Sequence, residues 1–200
     1  MRARPSGATT LLLVAGGVFL LLAIAVALGA TQAVDTAVRD ALLGLESPLV
    51  VTAMRIVNYA GEWRVLLPGT LLLVVGCARA RARWWLWIVL MLVAPLAETL
   101  LKNVVGRPRP EGASLGFPSG HATAAAAFFG AAIYLADSLS PRARRPLRAL
   151  AALAIVLVAL ARVILRAHWP SDALAGLCLG LALASAAALL AGPGGAARDP

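Results

Sequence analysis

Lysine is almost missing from this sequence: Lys102 stands alone among 18 basic residues, the other 17 being arginine. Charge of either sign is scarce, at 14% of 200 residues. Soluble domains carry about 25% charged residues. The shortage excludes an ordinary soluble globular protein, a disordered chain and a coiled coil. Cysteine is limited to Cys77 and Cys178, each in or at the edge of an apolar run and without metal or redox spacing. They read as small buried hydrophobes. Histidine occurs only at His121 and His168. Apolar residues, by contrast, make up 61% of the chain, and mean hydropathy is +0.87. On a chain this short, lipid is the solvent that accommodates so much apolar surface, so the partner read from composition is the bilayer.

The net charge of +9 and pI of about 11.4 raise nucleic acid as a partner. The arginines, however, sit in short clusters between apolar runs. That suits loops flanking membrane spans, or anion sites, and no nucleic-acid partner is expected. A spanning helix needs about 20 mostly apolar residues. Six segments are predicted: Thr9 to Ala30, a weaker one from Val65 to Ala78, Trp84 to Lys102, Ser119 to Leu139, Pro146 to Arg166, and Pro170 to Ala191. The expected fold class is therefore all-α, a six-span bundle. The first run exceeds the apolar core of a signal peptide, about 7–15 residues, and reads as an uncleaved span. Residues 1–192 read as one integral-membrane domain and 193–200 as a loose tail.

Between spans one and two, Val34, Val38, Leu42, Leu43 and Leu45 predict an amphipathic interfacial helix, with Asp35, Arg39 and Asp40 mostly on its other face. A second short piece, Pro48 to Ala60, contains Arg55 and Asn58 and reads as another interfacial helix, with a partial or re-entrant segment as the alternative. Six spans place both termini on one side. That side carries Arg2, Arg4, Arg79, Arg81, Arg83, Arg142, Arg144, Arg145, Arg148 and Arg198 against Asp137 and Asp199. The opposite side is nearly balanced. The positive-inside rule makes the first side cytoplasmic.

Most basic residues of the opposite side occur in two stretches, and these contain both histidines. One runs from Lys102 through Arg107, Arg109 and Pro110 to Pro118-Ser119-Gly120-His121. The other runs from Arg162 through Arg166 and His168-Trp169-Pro170 to Asp172. Lys102, Arg109 and Arg162 bring three cations to one depth, where unpaired charge is costly unless it faces a cavity or a partner. No matching acidic cluster is visible in sequence, so a polyanion is the expected partner. Arginine forks suit phosphate. The Ser119-Gly120 start of a long apolar helix offers backbone N–H groups and the positive end of a helix dipole. Asp172 follows His168 by one turn, placed to accept from its Nδ1 and leave Nε2 as a nucleophile. His121 sits at a helix mouth, where a general acid reaches a leaving oxygen. Each fragment alone also fits a structural role; their joint placement on one face argues for a site.

Lys102-x6-Arg109-Pro110, Pro118-Ser119-Gly120-His121 and Arg162-x5-His168-x3-Asp172 resemble, in order and spacing, the motifs of the type-2 phosphatidic acid phosphatase superfamily. The match covers residues 102–172 in detail. The resemblance is to the small bacterial membrane members that dephosphorylate lipid phosphates and diphosphates. It implies a lipid phosphate substrate held by Lys102, Arg109, Ser119, Gly120 and Arg162, attack by His168, orientation of His168 by Asp172, and proton transfer by His121. It also implies no metal and no cofactor; the sequence shows no carboxylate cluster suited to Mg²⁺. One departure is Ala161, where the motif usually has serine before the arginine. Arg166, one turn after Arg162, is a candidate contact for a second phosphate or an arginine that snorkels to the interface. The first option makes undecaprenyl diphosphate the leading substrate; phosphatidylglycerol phosphate, phosphatidate and lipid A phosphates are alternatives. Two further alternatives are a vanadate-binding haloperoxidase, disfavoured by size and hydrophobicity, and a catalytically silent lipid-phosphate binding or transport protein.

The expected location is the bacterial cytoplasmic membrane, termini inside and site outside. A cysteine introduced at Gly112 is expected to react with an impermeant thiol reagent on intact cells, and one at Ala143 to stay unlabelled. The reverse pattern overturns the topology.

Overall fold

A computed structural model describes residues 7–192. The tail expected at 193–200 lies outside the described residues, as do the charged residues at 2, 4, 198 and 199. The described chain is all-helical: α1 Gly7–Ala27, α2 Gln32–Leu43, α3 Pro48–Asn58, α4 Trp63–Gly76, α5 Ala78–Ala82, α6 Trp84–Val105, α7 Gly120–Leu135, α8 Pro141–Ile164 and α9 Pro170–Ala191. Short 3₁₀ turns follow α3 and α7 at Tyr59–Gly61 and Ala136–Ser138.

Local chemistry sets several of these ends. Pro141 and Pro170 open α8 and α9, where a missing N–H costs nothing. Ser47 caps α3, its Oγ accepting from the Val50 N–H at 3.2 Å. Gly106 takes a left-handed conformation (φ 68°) after α6, and its N–H returns to the Lys102 carbonyl. This turn sends the chain into a long loop, residues 106–119, that carries half of the site.

Helix α9 is the hub: α1, α6, α7 and α8 all pack on it, and α7 also meets α6 and α8. The α7–α9 seam is built from small residues. Ala122, Thr123, Ala126 and Ala127 face Gly176 and Gly180, and Gly130 faces Ala184. A Cβ at position 180 would collide with the Thr123 carbonyl and stand 2.6 Å from Ala126 Cβ. Without an oil–water gradient between helices in lipid, such close backbone approach is what holds them. The large apolar side chains point outward instead. Leu13, Leu20, Leu21 and Ile24 on α1, Leu72 and Val75 on α4, and Leu92, Leu96 and Leu100 on α6 are all exposed. That distribution fits a lipid-solvated exterior.

Four described helices are long and apolar enough to cross a membrane: α1, α6, α8 and α9. The two other expected spans come out shorter. Helix α4 has 14 residues, and α7 has 16 because it yields to the 3₁₀ turn at Ala136. Helix α7 packs among α6, α8 and α9. Helix α2 is present, with one residue of its polar face, Asp35, buried. That residue is only 2% exposed and turned inward.

Gly180→Leu is expected to lower the thermal unfolding midpoint in detergent, at a cost of about 1–3 kcal/mol for overpacking. Gly16→Leu on α1, where nothing lies within 4 Å of the added Cβ, is the control and should change little.

Candidate active site

The tight α7–α9 seam brings two helix N-termini side by side. The Ser119 N–H donates to the Asp172 carbonyl at 3.0 Å, stitching the start of α7 to the start of α9. His121 in the first turn of α7 and His168 just before α9 thereby share one site. Arg162, Arg109, Lys102 and His168 are all within electrostatic reach of His121. The three motif segments therefore converge as the sequence indicates.

The end of α8 is tightly turned to present His168. The N–H groups of Ala167 and His168 both donate to the Arg162 carbonyl at 3.1 Å, and Arg166 takes φ 59° to allow the turn. His168 is 1% exposed. Burial lowers its pKa from the ordinary 6.5, and the charges of Arg162 and Arg109 push the same way, while Asp172 opposes them. Its Nδ1 stands 3.6 Å from Asp172 Oδ2, a close approach but longer than a hydrogen bond. That oxygen instead accepts the Trp169 N–H at 3.1 Å. Gly116 allows the carboxylate its place, since a Cβ there would stand 2.7 Å from Asp172 Oδ2.

The loop of residues 106–119 folds back on itself. The Arg109 N–H donates to the Ser114 carbonyl and the Gly116 N–H to the Arg107 carbonyl. Arg109 is anchored through Nε to the Leu115 carbonyl at 3.2 Å, leaving the outer nitrogens of its fork for an anion. Ser119 is fully buried, and its Oγ has no hydrogen-bond partner among the described residues; the same holds for Arg162 Nε and His168 Nδ1. Native interiors rarely leave such groups unmatched. Ser119 Oγ and Arg162 Nε belong to the segments that carry the two histidines, whereas His168 Nδ1 faces Asp172.

Two cations have protein partners that sequence reasoning did not assign. Lys102 pairs with Glu98, one turn earlier on α6. The i,i+4 spacing is the signal that could have found it. The Glu98 carboxylate lies so near the start of α7 that a Cβ at Gly120 would meet it at 2.8 Å. Arg162 Nη1 donates to Asn58 Oδ1 at 2.6 Å, and Asn58 in turn donates to Glu62 at 3.3 Å. Gly61 packs against the His121 backbone, so the segment after α3 supports both Arg162 and His121. No sequence signal links Asn58 to Arg162, 104 residues apart.

Arg166 is held away from these groups, at the rim. Its guanidinium grips Glu46 with bonds of 3.2 and 2.8 Å and lies 3.6 Å from Glu111. Glu111 also accepts from Arg39 at 2.8 Å. Glu46, accepting from Arg166, has its pKa lowered. Trp169 is flanked by the guanidinium groups of Arg39 and Arg107, at 5.7 and 5.3 Å from its ring centre. Its indole N–H donates to the Pro108 carbonyl at 3.2 Å. Arg107 itself, given no role by sequence, binds Asp172, Ser171 and Asp35.

Comparison with known proteins agrees with this arrangement. A family model described as the PAP2 superfamily matches residues 111–192. The chain is 30% identical over 176 residues to phosphatidylglycerophosphatase B of Bacillus subtilis, covering 82% of this chain and 87% of that protein. It is 32% identical over 133 residues to a lipid A 1-phosphatase of Rhizobium etli, covering 56% of this chain and 54% of that protein. The crystal structure of a transmembrane PAP2-type phosphatidylglycerolphosphate phosphatase from Bacillus subtilis superposes with a TM-score of 0.79 at 27% identity, covering 88% of this chain and 93% of that one. Relatives that align over most of their length and the same fold, together with the convergent histidines and arginines, lead to one conclusion: the chain belongs to the PAP2 superfamily.

Proposed function

We propose that this protein hydrolyses the phosphate ester of a membrane lipid in two steps, through a phosphohistidine at His168. The observation that carries the reading is that Ser119 Oγ and Arg162 Nε are buried and unmatched in the segments that bring His121 within electrostatic reach of His168, Arg162, Arg109 and Lys102. A tetrahedral phosphoryl group is an acceptor with enough oxygens to satisfy the donors among them, together with Arg109, Lys102 and the Gly120 N–H. Phosphoryl transfer needs positioning and charge neutralisation above all, and this set supplies both.

In the first step His168 Nε2 bonds to phosphorus as the ester oxygen leaves. His121 gives that oxygen its proton, releasing the lipid alcohol. In the second step His121 takes a proton from water, the water oxygen bonds to phosphorus, and the phosphorus–nitrogen bond breaks to release phosphate. No group outside the chain, lipid and water is required. Lys102 exchanges Glu98 for the phosphoryl group as substrate arrives.

The relatives' names, phosphatidylglycerophosphatase and lipid A 1-phosphatase, support a lipid phosphate as substrate. We read the substrate as a phosphomonoester of the phosphatidylglycerol phosphate kind. A diphosphate such as undecaprenyl diphosphate is the second reading; it rests on Arg166 at the rim and requires that side chain to leave Glu46. In the same reading α4 and α7 also cross the membrane, the termini are cytoplasmic and the site opens outside. Exposed apolar side chains on α4 support that crossing.

Phosphate release from a panel of lipid mono- and diphosphates, with purified protein in detergent and EDTA, tests the reading. His168→Ala is expected to abolish turnover while the protein still extracts and unfolds normally. His121→Ala should slow the reaction by about 10²–10⁴-fold. Near wild-type release by His168→Ala would sink the assignment. The substrate question separates at Arg166. Arg166→Ala should lose about 1.5–3 kcal/mol on the diphosphate alone if it grips a second phosphate, and should act equally on both lipids if it does not.

The pH profile follows from His168. The nucleophile must be neutral, and its pKa lies below the ordinary 6.5. The acid limb of kcat/KM is therefore expected below pH 6.5, with activity kept as pH falls through that value and lost only beneath it. Initial rates across pH check this; a limb at or above 6.5 contradicts it.

A further inference from the structure

Asp172 is fully buried, and its two oxygens face different ways. Oδ2 accepts the Trp169 N–H and faces His168. Oδ1 accepts from Arg107 Nη1 at 3.0 Å. A guanidinium this close neutralises a carboxylate, and a neutralised Asp172 offers little countercharge to His168. Arg107, however, has a second carboxylate. Its Nη2 donates to Asp35 Oδ2 at 2.7 Å. Asp35 also accepts the Ser171 N–H at Oδ1 and the Ser171 hydroxyl at Oδ2, both at 2.7 Å. The buried cluster thus holds two carboxylates and one guanidinium, a formal charge of −1, at the start of α9.

We propose that Asp35 and Arg107 are positioning residues that set the charge His168 experiences: Arg107 holds Asp172 in place, and Asp35 takes up the charge of Arg107 so that Asp172 remains a net anion. The inference rests on the reading of His168 as nucleophile. As Nε2 bonds to phosphorus the ring gains positive charge, and a preset negative charge behind it stabilises that state. It also explains why one carboxylate on the otherwise exposed amphipathic helix α2 is buried. Through Asp35, α2 reaches Asp172 in two hydrogen-bonded steps, and Asp172 stands 3.6 Å from His168 Nδ1.

The charged and titratable groups acting on His168 are Asp172 of α9, Arg162 of α8, Arg109 of the preceding loop and His121 of α7. Charge-changing variants of the Asp35–Arg107 pair leave all four residues unsubstituted, and Asp172 keeps its bond from the Trp169 N–H. Asp35→Asn removes a negative charge and should move the acid limb of kcat/KM to lower pH. Arg107→Gln removes a positive charge and should move it to higher pH. Each shift is expected at about half a pH unit or more. The double variant restores the formal charge of −1 and should return the limb toward wild type. Asp35→Asn should lower kcat with KM little changed.

A purely structural role for the pair predicts no opposite shifts. Limbs that stay put, or that move the same way, overturn the proposal, as does a double variant that does not return. Thermal unfolding in detergent identifies folded variants. Should one single variant not fold, the direction of the other decides, and Asp35→Glu, which keeps the charge, must keep the wild-type limb. Trapping of the phosphoenzyme by an alkaline denaturing quench, which preserves the phosphorus–nitrogen bond, separates the two ideas. An active wild type with no phosphate on His168 overturns the nucleophile reading. Trapped phosphohistidine with unmoved limbs overturns the charge-setting role alone.

Discussion

The close contact between α7 and α9 is the constraint on which the rest depends. Both helices begin at the same end, and their backbones approach so nearly that Gly176 and Gly180 leave no room for a side chain. The Ser119 N–H to Asp172 carbonyl bond locks the two starts in register. Two helix N-termini side by side make a concentrated patch of backbone N–H groups and positive dipole. His121 and His168 occupy that patch because each is tied within a turn of a helix start. A larger residue on the seam would separate the two histidines before it exposed any core.

A second theme is how a largely apolar chain holds charge inside. Cations at the site have partners that are graded, not uniform. Lys102 has Glu98, Arg162 has the neutral amide of Asn58, and Arg109 has a backbone carbonyl. Neutral partners orient a guanidinium without cancelling its charge, which keeps it available to an anion. Full ion pairs join Lys102 to Glu98 and occur at the rim, where Arg166 meets Glu46 and Arg39 meets Glu111. They are also kept for the cluster behind Asp172. Water at the rim screens such pairs and keeps their worth small. The buried cluster has no such screening, and its contribution depends on every polar atom being matched.

Much of this was readable in advance because it depends on local order. Membrane class follows from composition. Pro170 opens α9 as its sequence indicates, whereas α8 begins at Pro141, ahead of the expected Pro146, and α6 runs past Lys102 to Val105. The site residues announce themselves by spacing, because a histidine one turn before an aspartate, or a Ser-Gly at a helix start, has a short-range meaning. Glu98 was readable by the same rule, four residues before Lys102, and was overlooked. Amphipathic periodicity assigns Asp35 to the polar face of α2 and cannot say that a buried arginine waits on that side.

The sequence by itself determined the solvent, the helical class and the family motifs, since these follow from apolar content and from residues within a turn or a short loop of each other. Tertiary structure alone decided which charges are paired and which stay free. Arg107 meets Asp35 across 72 residues of chain, Arg162 meets Asn58 across 104, and Arg166 meets Glu46 across 120. It also decided that α7 gives way to a 3₁₀ turn at Ala136. Electrostatic partnership depends on distance in space, falling off with separation and burial, and nothing in the linear order of residues encodes that distance until the helices have packed.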